Sequence, residues 1–199
     1  MSPTIRTERL ILRRHSPGDA EPIARYLNNY AVAGNLARVP YPYARADAEW
    51  WLDRQSPDLP PEETGFAIEL PGAGFIGNAG FHADVKSPTL GYWLADPFLH
   101  RGIMTEAAQA VLGWYFGLDR GDVIHCGAFA FNKASLAVQK KLGFTQTGTS
   151  LRHCLARGEE VRHIDTQLYR ADWAARPARA EASNVPVIRL VAAASGDEP

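Results

Sequence analysis

Apolar positions along the chain alternate between a two-residue period and a helical one, and the switches mark out its elements. Leu10, Ile11 and Leu12 lie between charged neighbours over Ile5 to Arg14, predicting a first strand closed by Ser16-Pro17-Gly18. From Ala20 to Asn29 the residues Ile23, Tyr26 and Leu27 recur at helical spacing, with Asp19 placed to cap them. Gly34 to Tyr43 carries no period. Arg45 to Gln55 predicts a second helix turning Ala48, Trp51 and Leu52 inward, with Trp50 a further inward candidate, before a proline-rich break at Ser56 to Pro61. These two helices are placed to wall a substrate cleft. Extended runs follow at Phe66 to Leu70, Phe75 to Val85 and Leu90 to Leu94, the first two joined by a hairpin-like Pro71-Gly72-Ala73-Gly74.

At Gly102 the period becomes helical again, through Ala107, Ala110, Val111, Trp114 and Tyr115. A strand at Val123 to Phe131, a helix at Lys133 to Leu142, and strands at Phe144 to Leu155 and Val161 to Tyr169 complete the order. This sequence of elements predicts one α/β domain over residues 1–175. Residues 176–199 show little period apart from Val185 to Val191 and are expected as a tail or an added strand.

Composition narrows the function classes. At 199 residues one domain can bury its own core, and a net charge of -1 from 21 basic and 22 acidic residues supplies no field for nucleic acid or an anionic membrane. Cys126 and Cys154 lie far apart, without zinc or redox spacing, so no metal is expected. No run approaches the roughly 18 apolar residues of a membrane span, and the expectation is a cytoplasmic protein.

Two segments carry candidate chemistry. Gly72-Ala73-Gly74-Phe75-Ile76-Gly77 matches the dinucleotide pattern G-x-G-x-x-G, but no helix opens at its end, so it gives a pyrophosphate nothing to face. Gly91 to Ala107 reads instead as strand, turn and helix. The helix start leaves backbone N–H groups open and presents the positive end of its dipole; Gly102 permits close approach, and Arg101 and Thr105 can add contacts to a phosphate. An ordinary strand–helix connection is the other reading of that turn.

Four ordered segments resemble the GNAT superfamily of N-acetyltransferases, and within it the RimJ/RimL-like group. They are Thr7-Glu8-Arg9-Leu10-Ile11-Leu12-Arg13, Gly91-Tyr92-Trp93-Leu94, Arg101-Gly102-Ile103-Met104-Thr105-Glu106-Ala107, and Asn132-Lys133-Ala134-Ser135 followed by Lys141-Leu142-Gly143-Phe144. The likeness spans about residues 5 to 173. It implies a mixed, mainly antiparallel central sheet flanked by helices, with a splayed central strand pair. It also implies acetyl-CoA as acetyl donor. His100, Arg101, Gly102, Ile103, Met104 and Thr105 would hold the pyrophosphate, while Trp93, Leu94, Asn132 and Ser135 would face the pantetheine and sulfur. Leu99 and Met104 stand at the outer positions of the family's phosphate loop, written Q/R-x-x-G-x-G/A. Gln139 stands where many members carry a tyrosine that protonates the leaving thiolate.

The implied reaction is direct attack of a primary amine on the thioester, the acceptor being a protein N-terminus or a small molecule such as an aminoglycoside or polyamine. Ser135, or water, would protonate the sulfur. Glu106, His82, Glu69 and Asp84 are candidate bases for the amine, and His153 and His163 are titratable groups of open orientation. For Glu106 the competing reading is simple complementation of the helix dipole. Tyr30, Tyr41, Tyr43, Trp50 and Trp51 gather where the family shapes its acceptor cleft. Cys126 reads as core. A non-catalytic acyl-CoA-binding or interaction module is the alternative function, and a monomer or homodimer the expected state.

Overall fold

A computed structural model describes residues 3–84 and 87–176. The expected first strand is broken into β1 (Ile5–Arg6) and β2 (Ile11–Arg13). Thr7 causes the break, because its N–H donates to the Leu10 carbonyl and its hydroxyl accepts from the Leu10 N–H, both at 3.0 Å. Helix α1 (Ala20–Leu27) follows, and then a short α2 (Tyr30–Ala33) in a stretch that carries no sequence period. Asn29 starts α2 by accepting the Ala31 N–H at 2.9 Å. Asp19 precedes α1 without a side-chain cap bond to it; its carboxylate accepts the Ser16 N–H at 2.7 Å and takes a bidentate grip from Arg13.

Helix α3 (Arg45–Leu52) precedes β3 (Gly65–Leu70), β4 (Gly74–Asp84) and β5 (Ser87–Leu94), the expected meander. Val85, expected as the end of the second of these strands, lies outside the described residues, as does the tail from residue 177 onward. Then come α4 (Ile103–Gly117), β6 (Val123–Phe129), α5 (Lys133–Leu142), β7 (Thr145–Cys154), β8 (Glu159–Tyr169) and a short α6 (Arg170–Ala174) that the sequence pattern does not announce.

Among the described residues the strands form one eight-stranded sheet in the order β1-β2-β3-β4-β5-β6-β8-β7. Neighbours are antiparallel except β5 and β6, which are parallel and share one register pair, Thr89 with His125. Beyond that pair the two strands have parted. One face of the sheet packs α4 into the larger apolar cluster, with Leu12, Phe66, Ile68, Leu90, Leu94, Val111, Tyr115, Ile124 and Cys126. The other face carries a second cluster built from α1, α3, Ala67 and Phe75. Strand alternation enforces the division, since neighbouring residues project to opposite faces. The mixed α/β fold with a mainly antiparallel sheet is therefore the expected one.

Candidate active site

The turn into α4 is shaped to present main-chain donors. His100 (φ 60) and Gly102 (φ 75) both adopt left-handed backbone, which a glycine takes without steric cost. Gly102 is the N-cap of α4, and having no side chain it cannot occupy the helix's first N–H groups. Helical bonding begins where the Glu106 N–H reaches the Gly102 carbonyl at 3.1 Å. The first N–H groups of this fifteen-residue helix precede that bond and have no intrahelical acceptor, at the positive end of its dipole. Ile103 and Met104 bury their side chains in the larger cluster, so Met104 offers this turn its N–H while its bulk points into the core. His100 and Arg101 are exposed and Thr105 is half-buried.

Glu106 is fully engaged on the flank of that turn. Its carboxylate accepts from the Thr7 hydroxyl at 2.6 Å, the Arg9 N–H at 3.0 Å and the Arg9 guanidinium at 2.7 Å. Arg9 uses a remaining guanidinium N–H on the Arg101 carbonyl at 2.9 Å, tying the turn to the N-terminal strands. Burial disfavours the charged carboxylate, but the Thr7 and Arg9 bonds outweigh it and hold Glu106 below the usual carboxylate range. A carboxylate in that state is a poor proton acceptor near neutrality.

Beside this turn the β5–β6 gap opens. After Thr89 the β5 backbone runs on through Tyr92, Trp93 and Leu94 with β4 on one side and no register pair to β6 on the other. Alternate N–H and C=O groups of a strand point to each side, so the diverging edge presents main-chain groups to the gap. Trp93 packs against Phe75 with ring centroids 5.8 Å apart, and Leu94 is buried on the opposite face.

On the α5 side the gap is lined by a polar chain of four residues. Thr166 Oγ1 donates to Gln139 Oε1 at 2.8 Å, and Gln139 Nε2 donates to Ser135 Oγ at 3.2 Å. The Tyr92 hydroxyl lies 3.0 Å from Ser135 Oγ and 3.2 Å from the Ser135 carbonyl. Asn132 caps α5 by accepting the Ser135 N–H at 3.0 Å. Burial pushes the Tyr92 phenol well above its ordinary pKa, so it stays protonated and can donate. With Gln139 oriented by Thr166 and donating to Ser135, the serine hydroxyl hydrogen is left to point elsewhere.

The remaining candidates fall in different places. Glu69 is ion-paired to Arg13 at 2.6 Å. His82 lies on β4 opposite Thr89, its Nδ1 3.4 Å from where a Gly91 Cβ would stand. The Asp84 side chain lies outside the described residues. His153 is exposed and pairs with Glu160 at 3.4 Å near the far end of β7. His163 does enter a cluster, with its Nδ1 2.8 Å from Asp165 Oδ1. Cys126 is buried, and burial pushes its thiol up to about 12. Tyr43 is buried with α1 and α3, whereas Tyr30 and Tyr41 are exposed and meet edge to face at 5.4 Å. Gly72 to Gly77 spans the β3–β4 turn and the start of β4, with no helix.

The sequence names Tyr92 only within the Gly91-Tyr92-Trp93-Leu94 segment and does not single out Thr166 or Asp165. The partners of Tyr92 and Thr166 lie on other elements, and the chain carries no local signal for that; Asp165 meets His163 two residues before it on β8, a same-face spacing that the sequence does carry.

Comparison with known proteins accords with this geometry. A family model described as acetyltransferase (GNAT) domain matches residues 9–145. YdaF of Bacillus subtilis (strain 168), provisionally named a ribosomal N-acetyltransferase, is 25% identical over 175 residues, covering 83% of this chain and 94% of its own. The ribosomal-protein-S5-alanine acetyltransferase from Vibrio fischeri shares the fold at TM-score 0.71 and 20% identity, over 86% of this chain and 99% of that one. RimL, a ribosomal L7/L12 α-N-protein acetyltransferase solved with coenzyme A, matches at TM-score 0.70 and 20% identity, over 82% and 95%. The chain belongs to the GNAT family of acetyltransferases, and ribosomal-protein acetyltransferases are among the solved structures that share its fold.

Proposed function

We propose that this chain transfers the acetyl group of acetyl-CoA to a primary amine by direct attack on the thioester, residues 1–175 forming the catalytic domain. The observation that carries the proposal is the parting of β5 from β6 beside the Gly102-capped start of α4. The helix N-terminus suits the donor's pyrophosphate, with His100, Arg101 and Thr105 flanking the main-chain donors from Gly102, Ile103 and Met104. The open edge of β5 near Trp93 and Leu94 suits the pantetheine amides. A main-chain N–H at the gap stabilises the oxyanion as C–N bond formation proceeds.

Ser135 protonates the sulfur as the C–S bond breaks. Gln139 and Tyr92 set its orientation, which accounts for a buried glutamine where many relatives hold tyrosine. Asn132 positions Ser135 through the α5 cap. Glu106 braces the turn through Arg9 and takes no proton. The acceptor is an amine on a protein N-terminus or on a small molecule. The ribosomal-protein acetyltransferases that share the fold support the first, and the coenzyme A bound to RimL supports the donor.

The test is thiol release from acetyl-CoA with a panel of amines, an N-terminal peptide and a polyamine among them, alongside calorimetric binding of acetyl-CoA. Wild type is expected to turn over at least one amine. Gly102→Asp keeps the left-handed backbone but sets a carboxylate against the pyrophosphate, and is expected to abolish donor binding while the chain stays folded. Unchanged donor affinity in that variant overturns the placement. Tight binding with no turnover on any amine points to a non-catalytic acyl-CoA binder.

A further inference from the structure

Facing away from α4, the sheet carries a second polar cluster across β6, β8 and β7. Ile124 and Cys126 belong to the α4-side cluster, so His125, Gly127 and Phe129 project from the other face. The register pairs Gly127 with Asp165 and Phe129 with His163, placing both β8 residues on that same face. There His163 Nδ1 lies 2.8 Å from Asp165 Oδ1, and the Ser150 hydroxyl donates to the same oxygen at 3.0 Å. An Nδ1–H held by a carboxylate leaves Nε2 of the neutral ring as a lone-pair acceptor.

The direction of that Nε2 is set by a missing side chain. A Cβ on Gly127 would stand 2.9 Å from His163 Nε2 and 2.6 Å from the Ile164 carbonyl. The imidazole therefore leans from β8 over β6 through space that any larger residue would fill. Gly127 lies two residues past His125, where β6 last pairs with β5; Gly91 lies two residues past Thr89, its partner. The ring edge thus overlies Gly127 on the β6 edge of the gap, level with Gly91 on the facing edge and one residue before Tyr92.

This side of the gap is also bridged. The tip of the β7–β8 hairpin crosses to the segment after α2, with the Leu155 N–H on the Ala37 carbonyl at 3.0 Å and Arg157 Nε on the Gly34 carbonyl at 2.7 Å. The Arg157 guanidinium lies 4.3 Å from the Phe131 ring centroid, and Phe131 stacks on Phe129, itself 6.0 Å from His163. His163 is mostly shielded, at 17% side-chain exposure, while Asp165 keeps 30%. The cluster therefore has a proton path to water.

We infer that His163, oriented by Asp165 and Ser150, is the general base that deprotonates the acceptor amine. The inference rests on the acetyl-transfer reading above. His163 Nε2 takes one proton from the ammonium, directly or through one water, and releases it to solvent past Asp165. The neutral amine nitrogen then forms the C–N bond to the thioester carbon. As the tetrahedral intermediate collapses, the C–S electron pair leaves on sulfur, which takes the Ser135 hydroxyl proton; the second nitrogen proton passes through water to the Ser135 oxygen and restores the serine. The products are one amide and one thiol, with one proton released.

Other groups on this face also bear on the titration. They are Asp165 on the same strand, His125 on β6, His82 on β4 and Arg157 at the hairpin, and His163→Gln leaves all of them in place.

The experiment measures kcat/KM against pH for wild type, His163→Gln and Asp165→Asn, each with a strongly basic primary amine and with a weakly basic one that is neutral throughout. Wild type is expected to show a rising limb with the basic amine. His163→Gln is expected to lose that limb and about 100-fold in kcat/KM, with an unchanged KM for acetyl-CoA. With the weakly basic amine its loss shrinks to a few-fold. Asp165→Asn, which spares the ring, is expected to lose less and to shift the limb. Equal losses with both amines, or a retained limb in His163→Gln, overturn the inference and leave the acetyl-transfer reading standing. Absence of wild-type turnover on every amine overturns that reading itself. Should His163→Gln fail to fold, a wild-type limb unmoved in Asp165→Asn overturns the inference.

Discussion

Glu106→Gln distinguishes a brace from a base. In the variant the amide oxygen can still accept from Thr7 and the Arg9 N–H, but its NH2 now meets the Arg9 guanidinium, donor against donor. A hydrogen bond to a charged group contributes about 1.5–3 kcal/mol, and the 43% exposure of Arg9 lets water replace part of it. The expected loss is roughly 1–2 kcal/mol of stability, or about 2–8 °C in Tm for a chain of this size. Arg9 also holds the Arg101 carbonyl, so loosening it disorders the turn that receives the donor. If about 1 kcal/mol of that reaches binding, the KM for acetyl-CoA rises about five-fold while kcat stays within about two-fold. The pH dependence has a definite sign. Because the folded carboxyl lies below its unfolded value, its stabilisation is complete above the unfolded pKa and is lost as pH falls through the folded one. The Tm gap between wild type and variant should therefore be widest near neutrality and close in acid. Steady-state thiol release with varied acetyl-CoA, and thermal melts across the acid range, measure both. A 100-fold fall in kcat with KM unmoved would refute the reasoning and restore Glu106 as a base.

Thr166→Val leaves the buried Gln139 Oε1 without its donor, costing about 1–3 kcal/mol in a chemical-denaturation curve; kcat should fall about 3–10-fold with the acetyl-CoA KM unchanged, and Thr166→Ser should restore both. Cys126, its thiol pushed up to about 12 by burial, should not react with a thiol reagent at pH 8 until the chain unfolds; stoichiometric labelling of native protein would contradict its place in the core. His15 is held neutral by burial, its pKa lowered to about 4 from 6.5, so the unfolded chain takes up the proton first as pH falls. Stability should thus decline by roughly 3 kcal/mol between about pH 6.5 and 4, and His15→Gln should flatten that slope; an unchanged slope would refute the assignment.

Much of the fold was legible because local pattern and tertiary environment agree. The helical period of α4 begins at the glycine that caps it, and Pro71 to Gly74 turns where two apolar runs must reverse. Legibility failed where a distant partner decides. Arg9 and Thr7 interrupt the first strand to reach Glu106, nearly a hundred residues on. Helix α2 had a signal in Asn29, a cap residue before a stretch too short to show a period. For the site, the turn at Gly102 could be read from residue types, since main-chain donors at a helix start need only a strand before and a glycine at the cap. The groups around the gap could not. Tyr92 meets Ser135 across the sheet, and His163 reaches over Gly127 because β8 inserts between β6 and β7, an order that no local pattern encodes.

The single register pair between Thr89 and His125 also has a mechanical meaning. It leaves the two parts of the sheet hinged along one short seam, with the Leu155–Ala37 and Arg157–Gly34 bonds as a latch on one face. A chain of amides laid into the opening would act as a guest strand, replacing ladder bonds that the protein itself does not make. Donor occupancy would then couple the motions of the two plates, and hydrogen exchange at the facing edges of β5 and β6 would slow together as the donor concentration rises.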